Sequence, residues 1–498
     1  MPVSFNEAMK TDSFEIKPFV YLFSAVLIIC FCFDTTEETL KQPAYFFAFL
    51  AALLILSVNI KRLKSVFRDP VCLILTLGIL LKLLYVLYTA IWTRQHDVVD
   101  FGTGEGHAGY IEYLYFNNSL PDGDPRDRWA FFQPPLHHII SAIWMKLCNR
   151  FRLSYRQLQE NVQALTFFYV ASSNVLSYFI CRELKLKGRG LAAAMTITAF
   201  HPVFVIMSGS INNDALSLFF MVLSLYLVIL WYKRPSFLLI ILLALSIGLS
   251  MMAKLSGGLI APAVASLFLY RLIKDRKDTL KYLLQYAVFG VIVFPLGLWW
   301  EVRNMLGFGM PLNYIPPVGE QLEKTGLFSR LFDLRLISVY PSMIKNGDPF
   351  DEYNVFWAML KTSLFDDENL SLEWRLIDPF AVVLFVSGLI LLIICLYATF
   401  RVLSERGESS LAPEWKLLLG VFYVTMVAAY LSFALGSPNY SAQSFRYISA
   451  TVILEAVFLG LFLGDGEDEG RPYGWVPILT YVFALSSAAV YVLLGFAR

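Results

Sequence analysis

Charge is what this sequence has least of. Only 16% of its 498 residues are Asp, Glu, Lys or Arg, against 57% hydrophobic. A soluble domain averages about 25% charged and roughly 45–50% apolar. A chain this long would normally divide into several water-soluble domains, and it does not carry the charge to coat them. Soluble, fibrous and disordered classes are excluded, which leaves a polytopic membrane protein. The net charge of +1 offers no footprint for nucleic acid. Cysteine is scarce too. Cys30, Cys32, Cys72, Cys148, Cys181 and Cys395 lie mostly in apolar runs, without CxxC spacing or a polar-loop cluster. Neither a disulfide framework nor a zinc site is indicated. The polar N-terminal stretch has no basic region leading to a small-residue cleavage site, so the first apolar run is expected to be a retained helix. No internal repeat or low-complexity tract is evident.

What the chain has in abundance is apolar runs of spanning length, about 20 residues for a ~30 Å hydrocarbon core. They fall at 18–34, 43–60, 70–92, 162–181, 190–206, 213–232, 236–252, 256–272, 282–300, 378–400, 416–435, 445–464 and 474–496. The reading is an all-α polytopic membrane protein of about thirteen transmembrane helices. The stretch 236–272 is too long for one crossing and breaks at Met252-Ala-Lys-Leu-Ser-Gly-Gly258, so a hairpin with Lys254 at its turn is expected. Lys and Arg orient the spans, because basic short loops stay cytoplasmic. With the N-terminus inside, the basic groups at 61–68, 182–189, 233–234, 271–281 and 401–416 all fall inside. The acidic loop 465–472 disagrees and leaves the last two helices less firmly oriented. The segment 135–148 is too short to span and would invert every later basic loop, so it is expected to lie along the outer surface. Four units result: an N-terminal hairpin (1–69), a transmembrane module with external loop 93–161 (70–300), an external loop or cap (301–377) and C-terminal spans (378–498).

Loops on a rigid scaffold carry function, and loop 93–161 holds four of the five histidines. Asp97 stands five residues beyond Trp92, an interfacial aromatic, where a carboxylate could take a proton from an incoming hydroxyl while the other reactant stays lipid-anchored. A solvated or capping acid is the equal alternative there. Asp100 reads as a turn residue. His96, Glu105 and His107 lack tight ligand spacing, and a divalent metal ion stays open rather than indicated. His137 and His138 read as interfacial packing, His201 as a local hydrogen-bonding residue before Pro202, and Asn213-Asp214 as a helix cap.

Glu105-Gly-His-Ala-Gly109 followed by Phe132-Gln-Pro-Pro-Leu136 resembles the acidic-x-His-x-Gly and Pro-Pro-Leu pair in the first external loop of the GT-C glycosyltransferases. Within that superfamily the likeness is to the protein O-mannosyltransferase and lipid A aminoarabinose transferase branch. Ser208-Gly-Ser-Ile-Asn-Asn-Asp-Ala215, Ala253-Lys-Leu-Ser-Gly257, Pro295–Asn304 with Phe308-Gly309, and Arg446-Tyr447 resemble further segments of the family. The likeness covers roughly residues 70–465.

It implies a GT-C fold with external juxtamembrane helices and a transferase that moves a monosaccharide from a polyprenyl-phosphate donor to an acceptor. The acceptor (glycolipid, glycan or protein) is left open. The reaction is expected outside the membrane, with inversion, at a bacterial plasma membrane. Gly104 stands where the family often has an acid, which leaves Asp97 as the preferred base and Glu105 second. Gln133 replaces a basic residue often found before Pro-Pro-Leu, so phosphate binding falls to Lys254, Arg303 and Arg446, with Tyr447 beside the last. Their alternative role is snorkelling anchorage. In the second long loop, Tyr340–Ile344 and Lys361–Asp367 are expected to form a lid or a partly ordered cap. A transporter or flippase, or a non-catalytic GT-C-like envelope subunit, are the rival readings. Charges clustered in two loops on one side favour the enzyme over a transporter, whose ionisable groups lie near the midplane.

Overall fold

The computed structural model describes residues 18–19, 22–23, 26, 69–95, 98–316, 326–336, 338–341, 354–406, 411–437, 440–464 and 473–497. The runs at 18–34 and 43–60 thus fall almost wholly outside the described residues. Among the described residues the elements are all helical. α1 (Pro70–Tyr88) starts at an Asp69 side chain that accepts from the Val71 amide at 2.9 Å, with Pro70 in the first turn. Three short helices follow in the first long loop: α2 (Gly106–Asn117), α3 (Leu136–Asn149) and α4 (Tyr155–Glu160). Then come α5 (Val162–Glu183), the bent pair α6 (Gly188–Phe200) and α7 (Pro202–Gly209), α8 (Asp214–Lys233), α9 (Phe237–Ala253), α10 (Ala261–Lys274) and α11 (Thr279–Phe308). α12 (Leu327–Phe332) and α13 (Val355–Phe365) lie in the second long loop, and α14 (Asp378–Ser404), α15 (Pro413–Gly436), α16 (Ala450–Leu463) and α17 (Val476–Leu493) complete the chain.

Eight of these elements are long and apolar enough to cross a membrane, or nine if α6 and α7 count as one span; α9 and α16 are shorter apolar helices. The described residues thus account for eight or nine of the expected thirteen crossings. The helices fall where the apolar runs are, and the chain is a multi-pass membrane protein. Packing divides them. The window of 155–183 is 89% buried and that of 214–233 is 83% buried, whereas only 22% of the window in 276–308 is covered. On α11, Leu280, Val291, Phe294 and Leu306 stand exposed, an apolar surface suited to lipid rather than water. The core is centred on α5 and α8, with α9 and α11 layered on one side, and α1, α6, α16 and α17 packed together on the other.

The bend between α6 and α7 has a local cause. Pro202 has no N–H to offer, and the axis turns by 40° at His201. Three consecutive carbonyls at the end of α6 consequently lose their helical donors, and each finds a side chain from a different helix. Asn174 of α5 donates to Thr198 at 3.2 Å, Lys82 of α1 to Ala199 at 2.6 Å, and Ser487 of α17 to Phe200 at 2.7 Å. His201, as expected, bonds locally: its ring nitrogen accepts from the Val203 amide at 3.4 Å. An unmet buried carbonyl costs about 1–3 kcal/mol, so Lys82→Met, which keeps length and removes the donor, is expected to lower stability by that order, read as a fall in the thermal midpoint of the detergent-solubilised protein. A midpoint at or above wild type would show that Lys82 does not seal the break.

Candidate active site

The bent pair ends at a short loop that gathers the site. Carbonyls at the end of α7 are again met by side chains: Thr166 donates to Ser208 at 2.9 Å, and Gln163 and Gln95 donate to Gly209 at 3.0 and 2.8 Å. The Gln95 side chain also accepts from the Ile211 amide at 3.0 Å. This ties the beginning of loop 93–161 to the α7–α8 loop. Three residues further on, the Val98 carbonyl accepts from the Ala108 amide at 3.0 Å. His96 and Asp97, the latter the preferred base, lie between these two anchors and outside the described residues.

The Glu105–Gly109 motif is built around glycine. Gly104 and Gly106 have φ of +76° and +70°, and a Cβ on Gly106 would collide with the Val98 carbonyl. Gly104 thus stands at a position where L side chains are strained. Glu105, the second candidate base, is half-buried and accepts from the Trp129 amide at 2.5 Å, while the Gly106 amide donates to the Trp129 carbonyl at 3.1 Å. Its carboxylate is an organiser of this loop. Asp100 is exposed, and its carbonyl accepts from the Thr103 amide and hydroxyl, as a turn residue would.

His107 opens into a histidine cluster. Its Nδ1 lies 2.8 Å from Nε2 of His138, and the two rings stack with centroids 5.1 Å apart. Nε2 of His137 lies 2.8 Å from the Ile211 carbonyl. Both residues of α3 are fully buried, which corrects their reading as interfacial packing: α3 turns its first-turn histidines inward against α2 and the α7–α8 loop. Burial pushes His137 down to about 4, with the Ile211 carbonyl and nearby Asp214 acting in the opposite sense. Burial, then the charges of His107 and His137, hold His138 well below the usual imidazole value. Both are neutral at pH 7.

Asp214 is the centre that sequence reasoning missed. Asn213 and Asp214 do not form the side-chain cap expected of them. The Asn213 amide instead donates to the Ala253 carbonyl at 2.9 Å and to the Gln133 side chain at 3.3 Å, bringing Gln133 to the site. Asp214 Oδ1 meets Lys254 Nζ at 2.5 Å and Oδ2 lies 3.7 Å from Arg446 Nε, with the three side chains 8%, 15% and 5% exposed. Lys254 sits in the extended break between α9 and the tight turn before α10, the turn position expected of it. Arg446 sits in a single turn, Phe445–Ile448, ahead of α16.

Tyr447 completes the group: its ring lies 4.5 Å from Lys254 Nζ and 5.0 Å from Arg446 Cζ, and its hydroxyl accepts from Arg446 at 3.1 Å. The signal for Asp214 was present in the sequence, since an acid at a spanning helix's start has to be paired; its partners were 40 and more residues away. Arg303 is engaged elsewhere. Its guanidinium donates to Asn304 at 2.7 Å and to the Pro121 carbonyl at 2.5 Å and lies over Trp300 at 4.7 Å.

Part of the second long loop supports the cations. Thr362 of α13 accepts from the Phe445 amide at 3.0 Å, and Tyr430 of α15 donates to the Gln443 carbonyl at 2.7 Å. Lys361, Asp366 and Asp367 are buried there, and Tyr340 donates to Asp378 at 2.8 Å. Among the described residues no group of three or more His, Cys, Asp or Glu side chains is gathered to hold a metal ion. The carboxylate of Glu105 faces the Trp129 amide and Nδ1 of His107 faces His138.

Three comparisons bear on this arrangement. No curated protein matches the chain significantly. Among solved structures it is similar to the Archaeoglobus fulgidus oligosaccharyltransferase in complex with Zn and sulfate, at 17% identity and a TM-score of 0.48, over 84% of this chain and 53% of that one. The apo form of the same protein gives 16% identity and 0.49, over 85% and 55%. ArnT from Cupriavidus metallidurans in the apo state gives 13% identity and 0.48, over 85% and 76%. The chain thus spans about half the length of the oligosaccharyltransferase it matches. Residues 159–308, which run from α5 through α11 and include Asp214 and Lys254, match the family described as dolichyl-phosphate-mannose-protein mannosyltransferase. The match covers less than a third of the chain, and it is this segment that is similar to the family.

Proposed function

We propose that the chain transfers a monosaccharide, mannose by family, from a polyprenyl-phosphate donor to the hydroxyl of an acceptor on the external side of the membrane, with inversion. The observation that carries this reading is the convergence of Lys254 and Arg446 on one point beside Tyr447, almost wholly out of water. Two cations held in protein at the end of membrane helices are natural partners for a lipid phosphate. They come from separate elements, so their meeting is a product of the fold rather than of local sequence.

Asp97 is the base in this scheme. It accepts the acceptor's hydroxyl proton as that oxygen bonds to the anomeric carbon. The bond between that carbon and the phosphate oxygen breaks, and its electron pair leaves with polyprenyl phosphate. The phosphate is already a good leaving group, so the site must chiefly orient the reactants and stabilise the departing charge. Support for Asp97 comes from its flanks: Gln95 is bonded to the α7–α8 loop, and Val98 to Ala108 beside His107. Lys254 and Arg446 hold the phosphate, Tyr447 braces them, and His107 and Gln133 line the approach from the first loop. The shorter helices α9 and α16 are read as crossing too, and α3 as lying on the external surface.

Asp97→Asn is expected to abolish transfer of labelled mannose while donor binding stays within about twofold of wild type. Near-normal turnover would remove Asp97 from the mechanism, and Glu105→Gln, measured beside it, is expected to act through lowered stability. Lys254→Met and Arg446→Met are each expected to raise the donor KM by tenfold or more, about 1.4 kcal/mol per decade. An unchanged KM in both, with the fold intact, would move the phosphate elsewhere.

A further inference from the structure

The second long loop carries an apolar surface that the candidate site does not use. α12 has two opposite faces. On one, Arg330 is only 7% exposed and turns into the protein. Its guanidinium donates to the carbonyl of Leu435 at 3.1 Å, to that of Ser437 at 3.4 Å and to that of Ala434. The last carbonyls of a helix have no donor within it, and a cation there also complements the helix dipole, so Arg330 fastens α12 to the end of α15. The next carbonyl along the chain, that of Leu331, accepts at 3.1 Å from Asn354, whose side chain also caps α13. Phe328 and Phe332 stand two residues to either side of Arg330, roughly 200° around a helix. They are 75% and 63% exposed, with ring centroids 5.0 Å apart. Leu327, Leu334 and Leu336 are exposed as well, whereas Asp333 and Arg335 between them pair with each other at 2.8 Å.

The depth of this surface is set by what Arg330 holds. α15 has 24 residues, about 36 Å of helix, against a hydrocarbon core of ~30 Å. Its final carbonyls therefore lie at a boundary between acyl chains and headgroups. The spanning window of α15 is only 33% buried, so much of that helix is left for lipid, and α12 continues the exposed surface at its end. We propose that residues 327–336 are an interfacial anchor whose partner is the lipid bilayer. Leu327, Phe328, Phe332, Leu334 and Leu336 enter the boundary of acyl chains and headgroups, where Phe and Leu side chains are at home, while Arg330 faces inward and holds the end of α15. The anchor bears on the candidate site through the two helices it grips. Thr362 of α13 and Tyr430 of α15 hold the stretch that leads into the turn of Arg446.

The test places the photo-crosslinker p-benzoylphenylalanine at Phe328 or at Leu334 of the full-length protein, reconstituted in nanodiscs of phosphatidylcholine. After irradiation, mass spectrometry reads what each position has bonded to. The same label at Val291, on the exposed face of α11, and at Asp122, in an exposed turn of the first long loop, sets the upper and lower references. Lipid adducts at positions 328 and 334 are expected severalfold above those at 122 and close to those at 291, with the new bond on glycerol or the upper acyl methylenes. A lipid yield no higher than at 122 overturns the proposal, as do adducts formed instead with another part of the chain or with a second copy. If the label at 328 prevents folding, position 334, which lies beyond the helix, is read alone by the same criterion. Neither outcome depends on where a donor phosphate binds.

Discussion

A peptide carbonyl buried among helices has to find a donor, and the whole arrangement turns on how that demand is met where α6 breaks. Pro202 withdraws one N–H, the axis bends, and the carbonyls of Thr198, Ala199 and Phe200 are left facing protein. Asn174, Lys82 and Ser487 meet them one by one. The donors belong to α5, α1 and α17, so satisfying three atoms fixes the relative position of four helices. The same rule operates at the other end of the bent pair. There Thr166, Gln163 and Gln95 answer the carbonyls of Ser208 and Gly209, and through Gln95 the first long loop is attached to the turn that leads into Asp214.

From that turn the electrostatics follow. The protein places its charged groups where they can neutralise one another and lets burial keep the rest uncharged. His137, near Asp214, and His138 pack as neutral rings, whereas Lys254, Arg446 and Asp214 stay ionic because they touch. A desolvated ion pair is costly unless its geometry is good. Here α8, the break after α9 and the turn before α16 supply that geometry from separate parts of the fold, and α13 holds the last of them through Thr362. The second long loop is in this respect scaffold.

How far this was legible beforehand depends on the range of the interactions. Helix positions follow from apolar runs, and the break at Lys254 from the small and charged residues that interrupt one of them. Among the described residues eight or nine spans have the length and hydropathy of a crossing, and α9 and α16 are shorter apolar helices at two more of the expected runs. The first-loop motif marked the right region, but the roles within it did not follow from residue type. Glu105 serves a backbone amide, and the paired histidines are interior rather than interfacial. Lys254, Arg446 and Tyr447 were singled out by the resemblance, while Arg303, equally basic and equally placed along its helix, turns to Pro121 and Asn304. From its neighbours in sequence alone Asp214 reads as a cap. Its partners lie 40 residues away in one case and beyond the second long loop in the other, which no local pattern records.

The seal at the broken helix also has an order in time. Ser487 follows Phe200 by 287 residues, so on the ribosome the carbonyl of Phe200 waits for almost the entire remainder of the chain to be made and inserted. Arg446 likewise reaches Asp214 only late in synthesis. Until α16 and α17 arrive, the nascent protein carries an open hydrogen-bonding group in its interior and a lone lysine opposite its acid. Completion of the candidate catalytic centre and completion of the fold are then the same event, and a chain cut short before its final helices would be left with neither.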